Sequence, residues 1–401
     1  MKSNRSKTPW KVPFNRAYLS GNELKYISDV LNSLSTGGTL SGNGPYTQRA
    51  ERFIEDRFGA SKALLTTSCT AALELATLLI DVKPGDEVIV PSYTFSSTIN
   101  PILLVGAKPV FADIDEETFN IDTNDVRQKI TPKTKAIYPV HYGGVSCDMD
   151  EIVAIAQRHN LFIVEDAAQG VNAQHKNKYL GTIGDFGCYS FHETKNYTCG
   201  EGGALLINSD NKMIQDRAEI ICEKGTDRCK FFRGEVDKYT WVDVGSSYFP
   251  SELLAAFLCA QFEALDSIQI SRHVLYDAYR EALLPLVEGG IIKLQNVPRY
   301  ATSNVHLFAI VFQNGATRDR WMYYLQQAGI LAIFHYVPLH SSPMGLRLGN
   351  HAEDCPVSQR ISERLLRLPM FAGISRSEKE YVLSTLAALI SDKKWLRTSD
   401  F

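Results

Sequence analysis

Short apolar runs separated by amphipathic segments fill the first two-thirds of the chain. ALLTT (63–67), EVIVP (87–91), KPVFADI (108–114), KAIYPV (135–140), LFIVEDAA (161–168), FGCYSF (186–191) and GALLIN (203–208) have the length and composition of buried strands. Among them, AALELATLLID (71–81) and EIVAIAQRHN (151–160) repeat apolar residues at helical spacing. Strands apolar on both faces, alternating with helices, predict an α/β fold: a mostly parallel sheet covered by helices. Right-handed crossovers then gather the strand ends, and any ligand site, on one edge.

From about residue 251 the pattern changes. SELLAAFLCAQFEALD (251–266) and HVLYDAYREALLPLV (273–287) predict two long helices, HLFAIVF (306–312) a strand and RDRWMYYLQQAG (318–329) a helix. LLRLPMF (365–371) and EKEYVLSTLAALISD (378–392) predict a closing strand and helix. Two domains are expected: a large one over 1–265, including an N-terminal arm, and a smaller α+β one over 266–401.

Composition narrows the function classes. A chain of 401 residues with 44% hydrophobic content can bury a large core in more than one lobe. The net charge of -3, with both signs interspersed, provides no basic field for nucleic acid and no polybasic membrane patch. No run of ~18 apolar residues predicts a membrane span. The opening MKSNRSKTPWKVPF is basic but lacks the apolar core of a secretory signal, so it reads as a short arm on a cytoplasmic protein. The eight cysteines form no C-x-x-C pair, which suits reduced thiols better than a metal site or a disulfide framework.

Four segments at strand ends carry candidate chemistry. Thr67-Ser68-Cys69-Thr70-Ala71-Ala72 joins a strand to a helix; its small residues and free N–H groups suit an anion, or Thr70 simply caps the helix. Glu165-Asp166-Ala167-Ala168-Gln169 puts a carboxylate where a ligand would meet it, or where a helix cap would stand. Ser190-Phe191-His192-Glu193-Thr194-Lys195-Asn196 places a lysine beyond a strand in aromatic company. Desolvation there would free its neutral amine, although a surface loop would hold a lysine equally. Gly200-Glu201-Gly202-Gly203 permits tight turns close to a ligand or to Lys195.

Together these segments meet the needs of pyridoxal 5'-phosphate: a lysine for its aldehyde, a cradle for its phosphate, a carboxylate facing its ring nitrogen and an aromatic face over the ring. The carboxylate has a measurable task. Two unit charges ~4 Å apart interact by ~4 kcal/mol at an effective dielectric of ~20, up to ~3 pKa units, enough to keep the ring nitrogen protonated.

At these residues the sequence resembles the DegT-like sugar-nucleotide aminotransferases, a fold-type I pyridoxal-phosphate family. SCTAAL, PSYTFSST, VEDAAQG, SFHETKN followed by GEGG, and HYVPLH occur in the family's order across nearly the whole chain. Longer stretches, among them PVHYGGVSCDMD, EKGTDRCKFFRGEVDKYTW and DVGSSY, resemble the branch that makes dTDP-4-amino-4,6-dideoxygalactose. The resemblance implies that Lys195 is the catalytic Schiff-base lysine. It also implies that Asp166 pairs with the ring nitrogen, Gln169 lies near the ring or its phenolic oxygen, and Phe95 stacks on the ring. Ser190 binds phosphate together with the backbone around Cys69, Thr70 and Ala71. His192 and His340 are candidates for substrate contacts or for structural hydrogen bonds. Arg228, Lys230 and Arg233 are candidates for the substrate's diphosphate or for a solvated basic loop. The family usually supplies phosphate contacts from the neighbouring subunit through G-x-N-Y-R. Here Gly245-Ser246-Ser247-Tyr248-Phe249 retains a donor in Ser247 and loses the arginine to Phe249.

The implied partners are L-glutamate and dTDP-4-keto-6-deoxyglucose, handled by a homodimer with pyridoxamine 5'-phosphate as the intermediate cofactor form. Lys195 would be both anchor and proton carrier. Retention of that lysine argues against a sugar dehydratase of the same fold, whose pattern has histidine there. A sister transaminase of different product configuration has the same site motifs. A regulatory cofactor-binding protein would need a nucleic-acid module, and none is apparent.

Overall fold

The computed structural model describes residues 10–392. Most of the basic opening stretch therefore lies outside the described residues. Seven strands, β1 (Lys62–Thr66), β2 (Glu87–Pro91), β3 (Lys108–Ala112), β4 (Thr134–Ile137), β5 (Phe162–Asp166), β8 (Phe186–Ser190) and β9 (Gly203–Ile207), form one sheet in the order β1-β9-β8-β5-β4-β2-β3. All run parallel except β9, which is antiparallel to both neighbours. The expected mostly parallel sheet is present, and the exception has a physical cause. Residues 191–202 contain no crossover helix, so β9 returns directly beside β8. That return carries Lys195.

Apolar side chains cover both faces of the sheet. The edge strand β1 is closed by the helix Pro45–Phe58: Glu55 and Glu51 accept from the N–H groups of Ala63 and Leu65, each at 2.9 Å. β4 stops at Ile137 rather than at residue 140, because Pro139 has no N–H to donate to a ladder.

Three further strands, β10 (Ile292–Leu294), β12 (Phe308–Phe312) and β13 (Leu365–Leu368), build an antiparallel sheet in the order β10-β12-β13. A small ribbon of β6 (Gln174–His175), β7 (Lys178–Tyr179) and β11 (Ala301–Thr302) links the two regions. A 63° bend separates the helices Glu252–Glu263 and Leu265–Glu288. The second helix starts eight residues earlier than its apolar run suggests. Leu265, Ile268, Arg272, Leu275 and Tyr279 bury one continuous face, and the arginine in it disguises the pattern. Val12, from the N-terminal arm, belongs to the C-terminal core. Among the described residues, no single helix is long and apolar enough to cross a membrane.

Candidate active site

The carboxyl ends of β1, β5 and β8 meet the start of β9 on one sheet edge, and a cavity of about 740 Å³ opens there. Cys69, Thr70, Phe95, Asp166, Gln169, Ser190, His192 and Lys195 all line it. The sequence-predicted cofactor residues thus converge from chain segments more than 100 residues apart, with Ala71 and Ser247 the exceptions.

The turn after β1 shows how an anion cradle is built. Ser68, in extended conformation, caps the helix Cys69–Leu79 by accepting from Ala71 N–H at 3.1 Å. Ser68 is therefore the cap, and Thr70 is not; Thr70 instead donates to Ser97 Oγ at 2.8 Å. Ala71 N–H is consumed by the cap, which corrects its expected part in phosphate binding. The N–H groups of Cys69 and Thr70, first in the helix, have no partner inside it and retain the dipole's positive end.

Gly203 has a different task from the one its motif suggested. A Cβ there would sit 2.4 Å from Cys69 N and from Ser68 C, so only glycine lets β9 pass this close to the turn. Gly203→Ala is expected to destabilise the protein by about 1–3 kcal/mol through forced backbone displacement. Its affinity for the cofactor should fall with the displaced turn. Urea unfolding and a cofactor titration check both; an unchanged midpoint would remove the close-packing argument.

Two adjacent carboxylates end β5 with opposite fates. Glu165 is fully buried and saturated: it accepts from Gly181, Ile183 and Gly184 N–H (2.8, 2.7 and 2.6 Å) and faces His141 Nε2 at 2.9 Å. His141 Nδ1 accepts from Cys147 N–H, which places the ring proton on Nε2, toward Glu165. Asp166 points into the cavity. Thr98 Oγ1 donates to its Oδ2 (2.7 Å) and Ala168 N–H to its Oδ1 (3.1 Å), fixing the carboxylate plane.

Backbone bonds pin the Lys195 turn: Phe191 N–H to Gly202 O, Lys195 N–H to His192 O and Cys199 N–H to Phe191 O. Asn196 ties it to the C-terminal region, donating to Asn304 O (3.0 Å) and meeting His306 Nδ1 (2.9 Å). Lys195 is half-buried, and its open side faces the cavity. Its pKa is lowered by desolvation and by the charge of Arg367, against the opposing pull of Cys69 and Asp166. Since burial penalises the cation, the neutral amine prevails at lower pH than for an exposed lysine. Competitive trace acetylation of the cofactor-free protein should show Lys195 titrating below the exposed lysines; a midpoint at or above theirs would contradict this.

Around this centre, Gln169 is braced at both ends. Its Oε1 accepts from Gly143 N–H (2.8 Å) and its Nε2 donates to Tyr336 Oη (3.0 Å). Phe95 is 58% exposed, with its ring open to the cavity and 6.2 Å from that of Tyr336. Ser190 is buried at the cavity wall, and His192 lies at its mouth, 3.6 Å from Glu201.

Five expected residues are elsewhere. His340 is fully buried outside the cavity, with Nδ1 on Ser92 Oγ and Nε2 on Ala352 O, so it is structural and not a substrate contact within this chain. Arg228, Lys230 and Arg233 do not reach the Lys195 cavity in this chain. They pair with Glu223, Asp216 and Glu219 respectively, and Arg228 and Arg233 line a second cavity of about 650 Å³. Ser247 is exposed on the surface. Phe14, His306 and Arg367, which no motif singled out, also line the Lys195 cavity, as does Tyr336 of the HYVPLH motif. An arginine inside the apolar run LLRLPMF was the available signal.

The geometry fits pyridoxal phosphate: a free amine, a fixed carboxylate, an anion cradle and an exposed aromatic face share one cavity. Spr1654 from Streptococcus pneumoniae has the same fold in its pyridoxal-phosphate form (TM-score 0.86, 26% identity, 95% of this chain and 99% of that one). Its pyridoxamine-phosphate form matches equally (TM-score 0.87, 26% identity, 95% and 100%). The spore coat polysaccharide biosynthesis protein SpsC of Bacillus subtilis (strain 168) is 33% identical over 395 residues, 94% of this chain and 97% of the relative. GDP-perosamine synthase of Escherichia coli O157:H7 is 30% identical over 386 residues, 95% and 99% of the two chains. Residues 20–387 match the family described as DegT/DnrJ/EryC1/StrS aminotransferases. The chain is a pyridoxal-phosphate-dependent sugar aminotransferase and belongs to the DegT/DnrJ/EryC1/StrS aminotransferase family.

Proposed function

We propose that the enzyme moves the amino group of L-glutamate to C4 of dTDP-4-keto-6-deoxy-D-glucose. The products would be 2-oxoglutarate and dTDP-4-amino-4,6-dideoxy-D-galactose, for cell-surface polysaccharide synthesis. The observation that carries the amino transfer is the convergence of Lys195, Asp166 and the Ser68–Thr70 turn on one cavity. The choice of sugar rests on the stretches EKGTDRCKFFRGEVDKYTW and DVGSSY.

Bound pyridoxal phosphate supplies an electron sink and a carrier for the amino group. Lys195 anchors it, and Cys69 and Thr70 N–H with Ser190 hold its phosphate. Asp166, oriented by Thr98, keeps the ring nitrogen charged, while Phe95 covers the ring. Once displaced, Lys195 Nζ takes the proton from the α-carbon of glutamate in one half-reaction and delivers one to sugar C4 in the other. Gln169 and Tyr336, joined by a hydrogen bond, would line the pocket that holds the ring.

The working unit in this reading is a homodimer. Phe232, Tyr239, Trp241, Val242 and Val244, near Ser247 in the chain, are all exposed, at 51–75%. An apolar surface of this kind supports burial against a second copy. The same burial would carry Ser247, Arg228, Lys230 and Arg233 towards the partner's cavity. Sedimentation at micromolar concentration should give twice the chain's mass.

The relative named GDP-perosamine synthase favours a second reading, in which the nucleotide is GDP. Turnover of dTDP- and GDP-linked 4-keto-6-deoxy sugars, with the C4 configuration assigned by NMR, separates the two. An axial C4 amine on the dTDP sugar is expected. An equatorial amine, an amine at C3, or a preference for GDP would overturn the substrate assignment.

A further inference from the structure

Asp166 and Gln169 reach the Lys195 cavity from the end of β5, and β5 alone does not hold them. The chain beyond β4, residues 139–144, grips both. Asp166 N–H donates to Pro139 O at 2.8 Å, and His141 N–H donates to Asp166 O at 3.2 Å. Gly143 N–H donates to Gln169 Oε1 at 2.8 Å. The ladder of β4 ends at Ile137, so this turn needs anchors of its own. One comes from outside, where Asn120 Oδ1 accepts from Tyr142 N–H at 2.9 Å.

The other anchor is the His141 ring. Successive side chains on a strand face opposite ways, so Asp166 points into the cavity and Glu165 away from it. His141 Nε2–H donates to Glu165 Oε2 at 2.9 Å, and His141 Nδ1 accepts from Cys147 N–H at 3.2 Å. Both side chains are fully buried, and His141 does not line the Lys195 cavity. Cys147 Sγ, 3.2 Å from Val140 O, closes the loop on itself. Glu165 is fixed in turn by the N–H groups of Gly181, Ile183 and Gly184. A buried carboxylate surrendering a donor would keep its charge and lose part of its compensation, so the pair holds the ring in one place.

We propose that His141 is a positioning residue: its ring, locked between Glu165 and Cys147, fixes the 139–144 turn and through it the placement of Asp166 and Gln169 against the cofactor ring. This rests on the reading of Asp166 as the partner of the ring nitrogen. The two neighbouring carboxylates of β5 then divide the work, Asp166 meeting the cofactor and Glu165 holding the turn that aims Asp166.

The test reads the ring nitrogen directly, by ¹⁵N NMR of the enzyme loaded with cofactor labelled at that atom, whose resonance moves when the nitrogen gains or loses its proton. His141→Asn keeps an acceptor for Cys147 N–H and loses the donor to Glu165. His141→Gln keeps a donor within reach of Glu165. Both are compared with Asp166→Asn and with the double variant His141→Asn, Asp166→Asn. In His141→Asn the resonance should move from its wild-type position towards that of Asp166→Asn. Its kcat should fall by about tenfold to a hundredfold, the cost of misplacing a group at the reacting centre by ~1 Å. KM for the sugar nucleotide should change less than about twofold, since ground-state binding is untouched. His141→Gln should fall between His141→Asn and wild type. In the double variant kcat should lie less than about threefold below that of Asp166→Asn, because both changes act through one group. A purely structural His141 would lower the melting temperature, leave the resonance in place and multiply the two losses in kcat. That result in His141→Gln and in any folded His141→Asn enzyme would overturn the proposal. A resonance unmoved in Asp166→Asn itself would overturn the reading of Asp166, and the route proposed for His141 with it.

Discussion

Lys195→Ala is expected to abolish transamination, lowering turnover by at least ~10⁴-fold, while leaving the fold intact. The size follows from the two tasks that converge on one amine. Moving the proton at the donor α-carbon and at sugar C4 is general acid–base work, worth ~10²–10⁴-fold. Covalent anchoring adds to it. A ~10⁴-fold loss corresponds to about 5 kcal/mol of activation free energy. The fold should survive because backbone bonds hold the turn: Lys195 N–H, not Nζ, makes the bond to His192 O, and Asn196 ties the segment to Asn304 and His306. Alanine keeps all of these and removes a desolvated cation. Hydride reduction of the cofactor-loaded protein followed by peptide mass spectrometry is the check. Wild type should carry the cofactor's mass on the peptide containing Lys195, and the variant should carry none. Retained mass in the variant would show that another amine is the anchor.

Asp166→Asn should have the second largest effect, a fall in kcat of ~10²–10³-fold. Asparagine keeps the shape and can still accept from Ala168 N–H, so the change isolates the charge. A carboxylate ~4 Å from a ring cation is worth ~4 kcal/mol at an effective dielectric of ~20, or roughly three decades of rate if all of it acts on the reacting state. Part of that is recovered by the asparagine dipole, hence the lower bound. Cofactor affinity should fall less than kcat, because the phosphate cradle and the lysine anchor are untouched. Single-turnover kinetics with L-glutamate, alongside a cofactor titration, measures both. A kcat within threefold of wild type would show that Asp166 does not face the ring nitrogen.

The convergence of the candidate residues on one cavity was legible because they stand at strand ends. A buried parallel strand has a length and composition that can be recognised, and the residues just beyond its carboxyl end belong to one edge of the sheet. Asp166, Lys195 and Ser190 could be placed on that edge from the sequence alone. Roles that depend on packing across the chain were not legible. Gly203 was read as freedom near a ligand, whereas its cause is the Ser68–Cys69 backbone 2.4 Å from where a Cβ would stand. Ser68 and Thr70 both fit the cap position by type, and only the backbone conformation of Ser68 decides between them. Arginine conceals itself in apolar surroundings. Arg272 lengthens a helix that appeared to start later, bonding Val305 and His306 carbonyls from inside the core. Arg367 sits in a strand counted for its leucines. The segment 228–249 shows the opposite effect: its motif suggested the site, but Arg228, Lys230 and Arg233 are held in ion pairs and Ser247 is exposed, away from the Lys195 cavity.

The most direct test of the account is isotopic. L-glutamate labelled with ¹⁵N is supplied with dTDP-4-keto-6-deoxyglucose and the purified enzyme, and the nitrogen is located in the product by NMR. ¹⁵N bonded to C4 of a galactose-configured sugar is expected, with 2-oxoglutarate formed in equal amount. Label at another carbon, or 2-oxoglutarate without a labelled amino sugar, would contradict it.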